Sequence, residues 1–373
     1  MTLRGLRRLV VPLWGCLLAG VLATTPRAEP ADSRSWNPRA AAAAMDARQA
    51  WWASWPSAQR DHDTFCVSCH TALPYALARP ALRSVLDERE PPAAEAALID
   101  NITKRVRMWN EVAPFYPDQT RGIPKTTESR GTESVLNAAI LAARDARDGM
   151  LGAATRTALA NMWALQMKTG ELAGAWAWLN FHYEPWEADA SPYFGAALAA
   201  VAVGTAPGYD VSSAEIQAGV KALRGFLTNQ FERQHTLNKL MLLWASGKLS
   251  GMLAMEQRNM IADEVFAKQQ ADGGWSASSL GPWKRSDGTA EETASDGYAT
   301  GLAAFALQQA GVPSTHPGVQ NALRWLSRHQ DATGRWRASS LNKRRDPETD
   351  AGRFMSDAAT AYAVLALTAA DAH

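Results

Sequence analysis

Three cysteines in 373 residues are too few for a disulfide framework, so any cysteine-based site must be small. Charge of neither sign is in excess: 38 Lys and Arg stand against 37 Asp and Glu, for a net charge of +1. That balance argues against a nucleic-acid binder, which needs clustered basic residues to meet phosphates. It equally excludes a charged disordered tail as the main business of the chain. Strand signals are missing as well, since no alternating Val/Ile/Thr runs occur beyond Pro38. What the chain has in quantity is tryptophan, with 15 Trp against 7 Tyr and 9 Phe.

Residues 1–28 read as an export signal. Arg4, Arg7 and Arg8 form a basic start, Leu9 to Ala23 an apolar core, and Val21-Leu22-Ala23 a small-residue cleavage site. The apolar run is shorter than the roughly 20 residues that span a bilayer, and none of spanning length follows it. Cys16 sits inside the run, which is the wrong place for lipidation, and Arg7-Arg8 matches a twin-arginine signal only loosely. The expected mature chain is periplasmic or otherwise exported, without a transmembrane segment, and keeps two cysteines, Cys66 and Cys69.

From Pro38 onward the pattern is helical, with Ala- and Leu-rich windows broken by Gly, Pro and polar loops, which predicts an all-α fold. Residues 269–296 laid on 330–357 at an offset of 61 agree at Gln269/Gln330, Ala271/Ala332, Gly273/Gly334, Trp275/Trp336, Ala277–Leu280/Ala338–Leu341 and Ser295-Asp296/Ser356-Asp357. Each copy reads as a helix ending in Gln, a Gly-Trp turn, a polar loop and a small-residue helix. Fainter copies lie at Gly174-Ala175-Trp176 and Val220–Gln230, and Glu133–Ala146 reads as the first small-residue helix. Helix pairs of this kind cannot bury a face alone and must stack, in an open solenoid or a closed ring.

Trp325-Leu326-x-x-x-Gln330-x-x-x-Gly334-x-Trp336 and Gln270-Ala271-Asp272-Gly273-Gly274-Trp275 resemble the Gln-Trp repeats of the squalene–hopene cyclase and protein prenyltransferase superfamily. The resemblance covers roughly residues 130–370 and implies a closed α/α toroid, with inner helices around a cavity and outer helices tied together by Gln and Trp. It divides the chain into a signal peptide (1–28), an N-terminal helical segment with a haem motif (29–130) and the toroid (131–373). Neither familiar chemistry of that superfamily survives. Where cyclases carry Asp-x-Asp-Asp, this chain has Ala294-Ser295-Asp296-Gly297, and no cysteine beyond Cys69 is left for a prenyltransferase zinc site, so no zinc is expected. Asp296, Asp357 and Glu133 are placed at the starts of inner helices, where capping is the plain role and a catalytic carboxylate the sharper one.

Cys66-Val67-Ser68-Cys69-His70 carries the strongest chemical signal. Two thiols at this spacing can add across the vinyl groups of haem while the adjacent imidazole reaches iron, giving one covalent haem c on Cys66 and Cys69 with His70 as axial ligand. A Cys66–Cys69 disulfide and a cramped zinc site with His62 are the competing readings. Met355 and His62 are the first candidates for a second axial ligand, ahead of Met108, His182, His235, His316 and His329, and an open position is the alternative. Trp51, Trp52 and Trp55 are expected as walls beside the motif. The segments Thr71–Tyr75 and Ser340–Lys343 resemble proteins that join such a motif to this toroid, which implies a combined family without a defined reaction.

The leading expectation is an exported haem protein that transfers electrons to, or oxidises, a hydrophobic ligand, isoprenoid by the resemblance. Its partner would be a periplasmic electron-transfer protein or that small molecule. Two other readings stay open: a cyclase-like isomerase using Asp296 or Asp357 as acid, and a non-catalytic haem-bearing binding protein.

Overall fold

The computed structural model describes residues 36–118 and 124–371, so the expected signal at 1–28, with Cys16, lies outside the described residues. The chain runs as alternating helices: α1 (Pro38–Ser54), α2 (Ala72–Val85), α3 (Ala93–Arg107), α4 (Lys125–Asp148), α5 (Ala153–Ala164), α6 (Ser191–Thr205), α7 (Ala214–Gln230), α8 (Thr236–Lys248), α9 (Met255–Ala267), α10 (Gly297–Gln309), α11 (Pro317–Arg328) and α12 (Phe354–Asp371). One two-residue hairpin, Gln59–Arg60 against Thr64–Phe65, interrupts them.

The even-numbered helices form the inner ring. α2 packs on α4, α4 on α6, α6 on α8, α8 on α10, α10 on α12, and α12 back on α2. Odd-numbered helices lie against this ring, α5 on α4, α7 on α6, α9 on α8, α11 on α10, and α1 on both α2 and α12. The fold is therefore an all-α, α/α toroid of repeated helix pairs. Its N-terminal segment, expected as an extension, supplies α2 to the inner ring, and the boundary expected at 130/131 falls inside α4.

Composition explains which helices go inside. An inner helix is covered on nearly all sides, so it has no polar stripe and favours residues small enough to let neighbouring backbones approach. In α6, every residue from Tyr193 to Val203 is buried, and the same holds for Gly297 to Leu307 in α10. Gly301 shows the spacing: a Cβ there would sit 2.6 Å from the backbone nitrogen of Ala363 in α12. The outer α11 instead buries a single stripe, Val319, Ala322, Trp325 and Leu326.

The Gln and Trp repeats lie where each outer helix ends. Trp176, Trp275 and Trp336 have no exposed surface, and each indole N–H donates to an outer-helix carbonyl: Met162 at 2.6 Å, Val265 at 2.7 Å and Leu326 at 2.8 Å. Gly174, Gly273 and Gly334 adopt φ of 94°, 94° and 86°, the left-handed turn that brings each Trp inward. The amides of Gln166, Gln269 and Gln330 then donate to two carbonyls each, their own turn glycine and the start of the next outer helix: Gly219, Gly318 and Asn37. The last case closes the ring, because the Asn37 N–H also donates to Gln330 Oε1 at 2.6 Å.

Candidate functional site

One pocket, with about 1000 Å³ of empty space partly open to solvent, gathers the residues that bear chemistry. Three segments that lead into inner-helix N-termini build most of it, and Tyr116 ahead of α4 and Thr132 within α4 complete the lining. The first runs from the end of α1 to the start of α2 and contributes Trp52, Trp55, Cys66, Cys69 and His70. The second precedes α6 and contributes Tyr183, Glu184, Trp186 and Glu187. The third precedes α12 and contributes Asn342, Arg345, Phe354 and Met355.

Local hydrogen bonds fix the first segment. The hairpin turns through His62 and Asp63, both left-handed at φ 54° and 50°. Asn101 in α3 clasps the Phe65 backbone like a neighbouring strand, accepting from its N–H at 2.8 Å and donating to its carbonyl at 3.0 Å. Trp52 Nε1 donates to the Cys66 carbonyl at 2.6 Å. Ser68 Oγ accepts from the backbone N–H groups of Thr71 and Ala72, so one of the two residues between the cysteines satisfies the first donors of α2.

Cys66 and Cys69 are buried, unpaired thiols on the pocket wall, so no disulfide joins them. Burial pushes the Cys66 thiol up to about 12 and Cys69 upward as well, which keeps both protonated. The His70 ring is stacked on Phe354 at 3.9 Å and meets the edge of Trp52 at 5.0 Å. Burial, with the nearby Arg48 charge, lowers the imidazole to about 3, leaving it neutral. Behind it, Nδ1 lies 2.9 Å from Thr71 Oγ1, Thr71 donates to Asp357 Oδ2 at 2.7 Å, and Arg48 grips Asp357 from Nε and Nη2 at 2.8 and 3.0 Å.

Two carboxylic acids of the pocket were not marked by any motif. Residues 181–187 fold back on themselves, with Tyr183 and Glu187 exchanging backbone hydrogen bonds at 2.9 Å across a cis Glu184–Pro185 peptide. This presents Glu187 to the pocket, where burial, only partly offset by the Lys125 charge, raises its carboxyl to about 7. Glu184 is pushed up first by burial and then by Asp189, and its Oε2 is buried without a hydrogen-bond partner. The only sequence signal for this wall was the aromatic and acidic crowding of Phe181, Tyr183, Glu184, Trp186 and Glu187 ahead of an inner helix.

Of the other expected site residues, the structure brings Met355 into the same pocket as His70 and leaves the rest outside. His62 is an exposed turn residue with Nδ1 2.9 Å from Asp61 Oδ2. Met108 follows α3 as its C-cap, His182 is exposed, His235 and His316 cap α8 and α11, and His329 stacks on Trp325. Asp296 is the N-cap of α10, accepting from the N–H groups of Tyr298 and Ala299 at 2.9 Å each and from Ala277 at 2.5 Å. Glu133 is not at a helix start: it lies within α4, fully buried and gripped by Arg105 at 2.5 and 3.1 Å. Asp357 lies in the first turn of α12, where burial pushes its carboxyl up and the Arg48 guanidinium and the Thr71 hydroxyl oppose that rise. Among the described residues, no group of three or more His, Cys, Asp or Glu side chains gathers in a way that could hold a metal ion, and the zinc alternative with His62 fails because that ring turns away to Asp61. Among them, too, no helix is long and apolar enough to cross a membrane.

No protein-family model matches the chain, and no curated protein does. The solved structures it is similar to include a glycosidase variant (12% identity, 89% of this chain and 97% of that one, TM-score 0.49) and a glycosidase variant in complex with glucose (14%, 89% and 97%, TM-score 0.48). A polysaccharide lyase is also similar, at 13% identity over 90% of each chain with a TM-score of 0.35. The expected membership of the cyclase and prenyltransferase superfamily is corrected, since no model of that family or of any other matches the chain. The physical reason is in the junctions: Gln and Trp tie outer helices together, a task any α/α ring has to solve, so the motif marks the architecture and not a cyclase lineage. The electron-transfer or haem-dependent oxidation of an isoprenoid, which rested on that lineage, falls with it. The isomerase reading fails on geometry, since Asp296 is occupied by three backbone N–H groups and Asp357 by Arg48 and Thr71.

Proposed function

We propose that the pocket is the active site of an exported protein that binds a carbohydrate-type ring ligand, with Glu187 as the proton donor. The observation that carries the reading is a carboxylic acid held near neutrality, at about 7, among aromatic walls. A general acid works best with a pKa close to the operating pH, and cleavage of a glycosidic bond calls for such an acid and a second carboxyl group nearby. Glu184, on the same folded segment, supplies the second carboxyl. Trp52, Trp55, Trp186 and Phe354 offer flat apolar faces to the C–H faces of a sugar, while Asn342 and Arg345 meet its hydroxyls. Residues 1–28 would direct the export. The support is the pocket itself and not the names of the structures the fold is similar to. Assay of the mature protein against a panel of oligo- and polysaccharides should release reducing ends, and Glu187→Gln should lose about 10²–10⁴-fold of the rate. No turnover and no binding across the panel would overturn the reading.

A second reading is favoured by one observation: two unpaired thiols and the His70 ring share a wall of the pocket, and Met355 lines it too. These residues suit covalent haem c, with Cys66 and Cys69 as thioether attachments, His70 as iron ligand and Met355 as the other axial candidate. Bound there, haem would supply a ligand-binding iron centre, and it would fill the space a sugar needs. Intact-mass measurement of the exported protein separates the two: the bare polypeptide mass supports the first reading, and an added haem mass supports the second.

A further inference from the structure

From the hydrogen-bond chain behind His70 we infer that Thr71 and Asp357 set its tautomer, placing the proton on Nδ1 and presenting the Nε2 lone pair to the pocket. The argument is a count of protons. Arg48 donates to both oxygens of Asp357, and a guanidinium has only protons to give, so this pairing makes the carboxylate the acceptor toward Thr71. The Thr71 hydroxyl has one proton, and it goes to Asp357 Oδ2 at 2.7 Å. Its oxygen can then only accept from the imidazole atom 2.9 Å away, so Nδ1 carries hydrogen. A neutral imidazole has one N–H, and the remaining nitrogen is a lone-pair donor. Phe354 stacked on one face and Trp52 packed at a right angle hold the ring in this orientation, with Nδ1 and not Cδ2 toward Thr71.

Thr71 and Asp357 are thus positioning residues. Asp357 serves as the anchor of the relay and not as an acid, although it reaches the pocket only through two other side chains. The inference deepens the carbohydrate reading and rests on it for what the lone pair does: Nε2 accepts a hydrogen bond from a ligand hydroxyl in the pocket that Glu187 also lines.

Nitrogen-15 NMR of the histidine-labelled protein near neutral pH reads the tautomer directly. The wild-type protein should show His70 protonated at Nδ1 alone. Thr71→Val, which removes the acceptor, should shift the population toward the Nε2–H form, and Thr71→Ser should restore it. An Nε2–H or doubly protonated His70 in the wild type overturns the inference, as does an unchanged tautomer in folded Thr71→Val. The wild-type spectrum decides the matter even where the valine variant does not fold. Glu187→Gln should leave the tautomer alone, so a failed sugar assay beside an intact Nδ1–H signal overturns the functional reading and leaves the relay standing.

Discussion

Three connections from an outer helix to the next inner helix have two halves of different character. In residues 166–176, 269–275 and 330–336 the first half repeats closely: a Gln amide with two carbonyl partners, a left-handed Gly and a sealed Trp. The second half diverges, and residues 179–187 and 340–355 carry the pocket. In the first half the Gln amide N–H groups and the indole N–H groups are all satisfied. The second retains Glu184 Oε2 and Asn342 Oδ1 buried without partners, and it shares the pocket with the protonated thiols and neutral imidazole of the α1–α2 connection. Structure is thus maintained where the connections agree, and chemistry is available where they differ.

Substitutions can test that division. The largest expected effect is Trp336→Ala, which removes a fully buried indole and its hydrogen bond to Leu326. About 3–5 kcal/mol should be lost in denaturant unfolding, with ligand affinity unchanged in the folded fraction. A loss below about 1 kcal/mol would mean that the junctions do not maintain the ring. Glu187→Gln comes next and acts in the opposite direction. The folded carboxyl is raised to about 7 from an ordinary 4.5, so its protonation stabilises the native state at low pH, and that contribution disappears as pH rises through 7. At pH 8 the glutamine variant should therefore be more stable than the wild type by on the order of 2 kcal/mol, with the gap closing below about pH 4.5. Equal melting temperatures at both pH values would remove Glu187 from the set of strained pocket groups. Gln330→Ala should cost about 1–2 kcal/mol by releasing the Asn37 and Gly334 carbonyls, and hydrogen exchange at the start of α1 should speed up first. His62→Ala, in an exposed turn outside the pocket, should stay within about 0.5 kcal/mol of the wild type and leave the pocket untouched.

The repeat and the all-α class were legible because neighbouring copies meet the same environment: Trp275 and Trp336 do one job in one geometry, so identical residues recur. The closure of the ring was not, since it depends on α2 packing against α12 and on Asn37 meeting Gln330, contacts between residues almost 300 positions apart that leave no local periodicity. At the site, Cys66, Cys69 and His70 stood out through their spacing, and the structure does bring them to one wall. Glu187 did not, because nothing in Phe181–Glu187 announces that the segment folds back and desolvates one carboxylate. Asp296 and Asp357 align perfectly in the repeat yet do different work, the first capping α10 and the second anchoring Thr71. Matching sequence positions held the backbone in common while their partners diverged.

The clasp between Asn37 and Gln330 makes the position of the opening in the chain arbitrary. Asn37 stands to Gln330 as Gly318 stands to Gln269, so α1 follows α12 in space as α11 follows α10. The step from α10 to α11 is spanned by Ala310–His316. A linker of that length from residue 371 to residue 36, with new termini cut into the Leu249–Ala254 connection, should yield a circular permutant with the same ring and the same pocket.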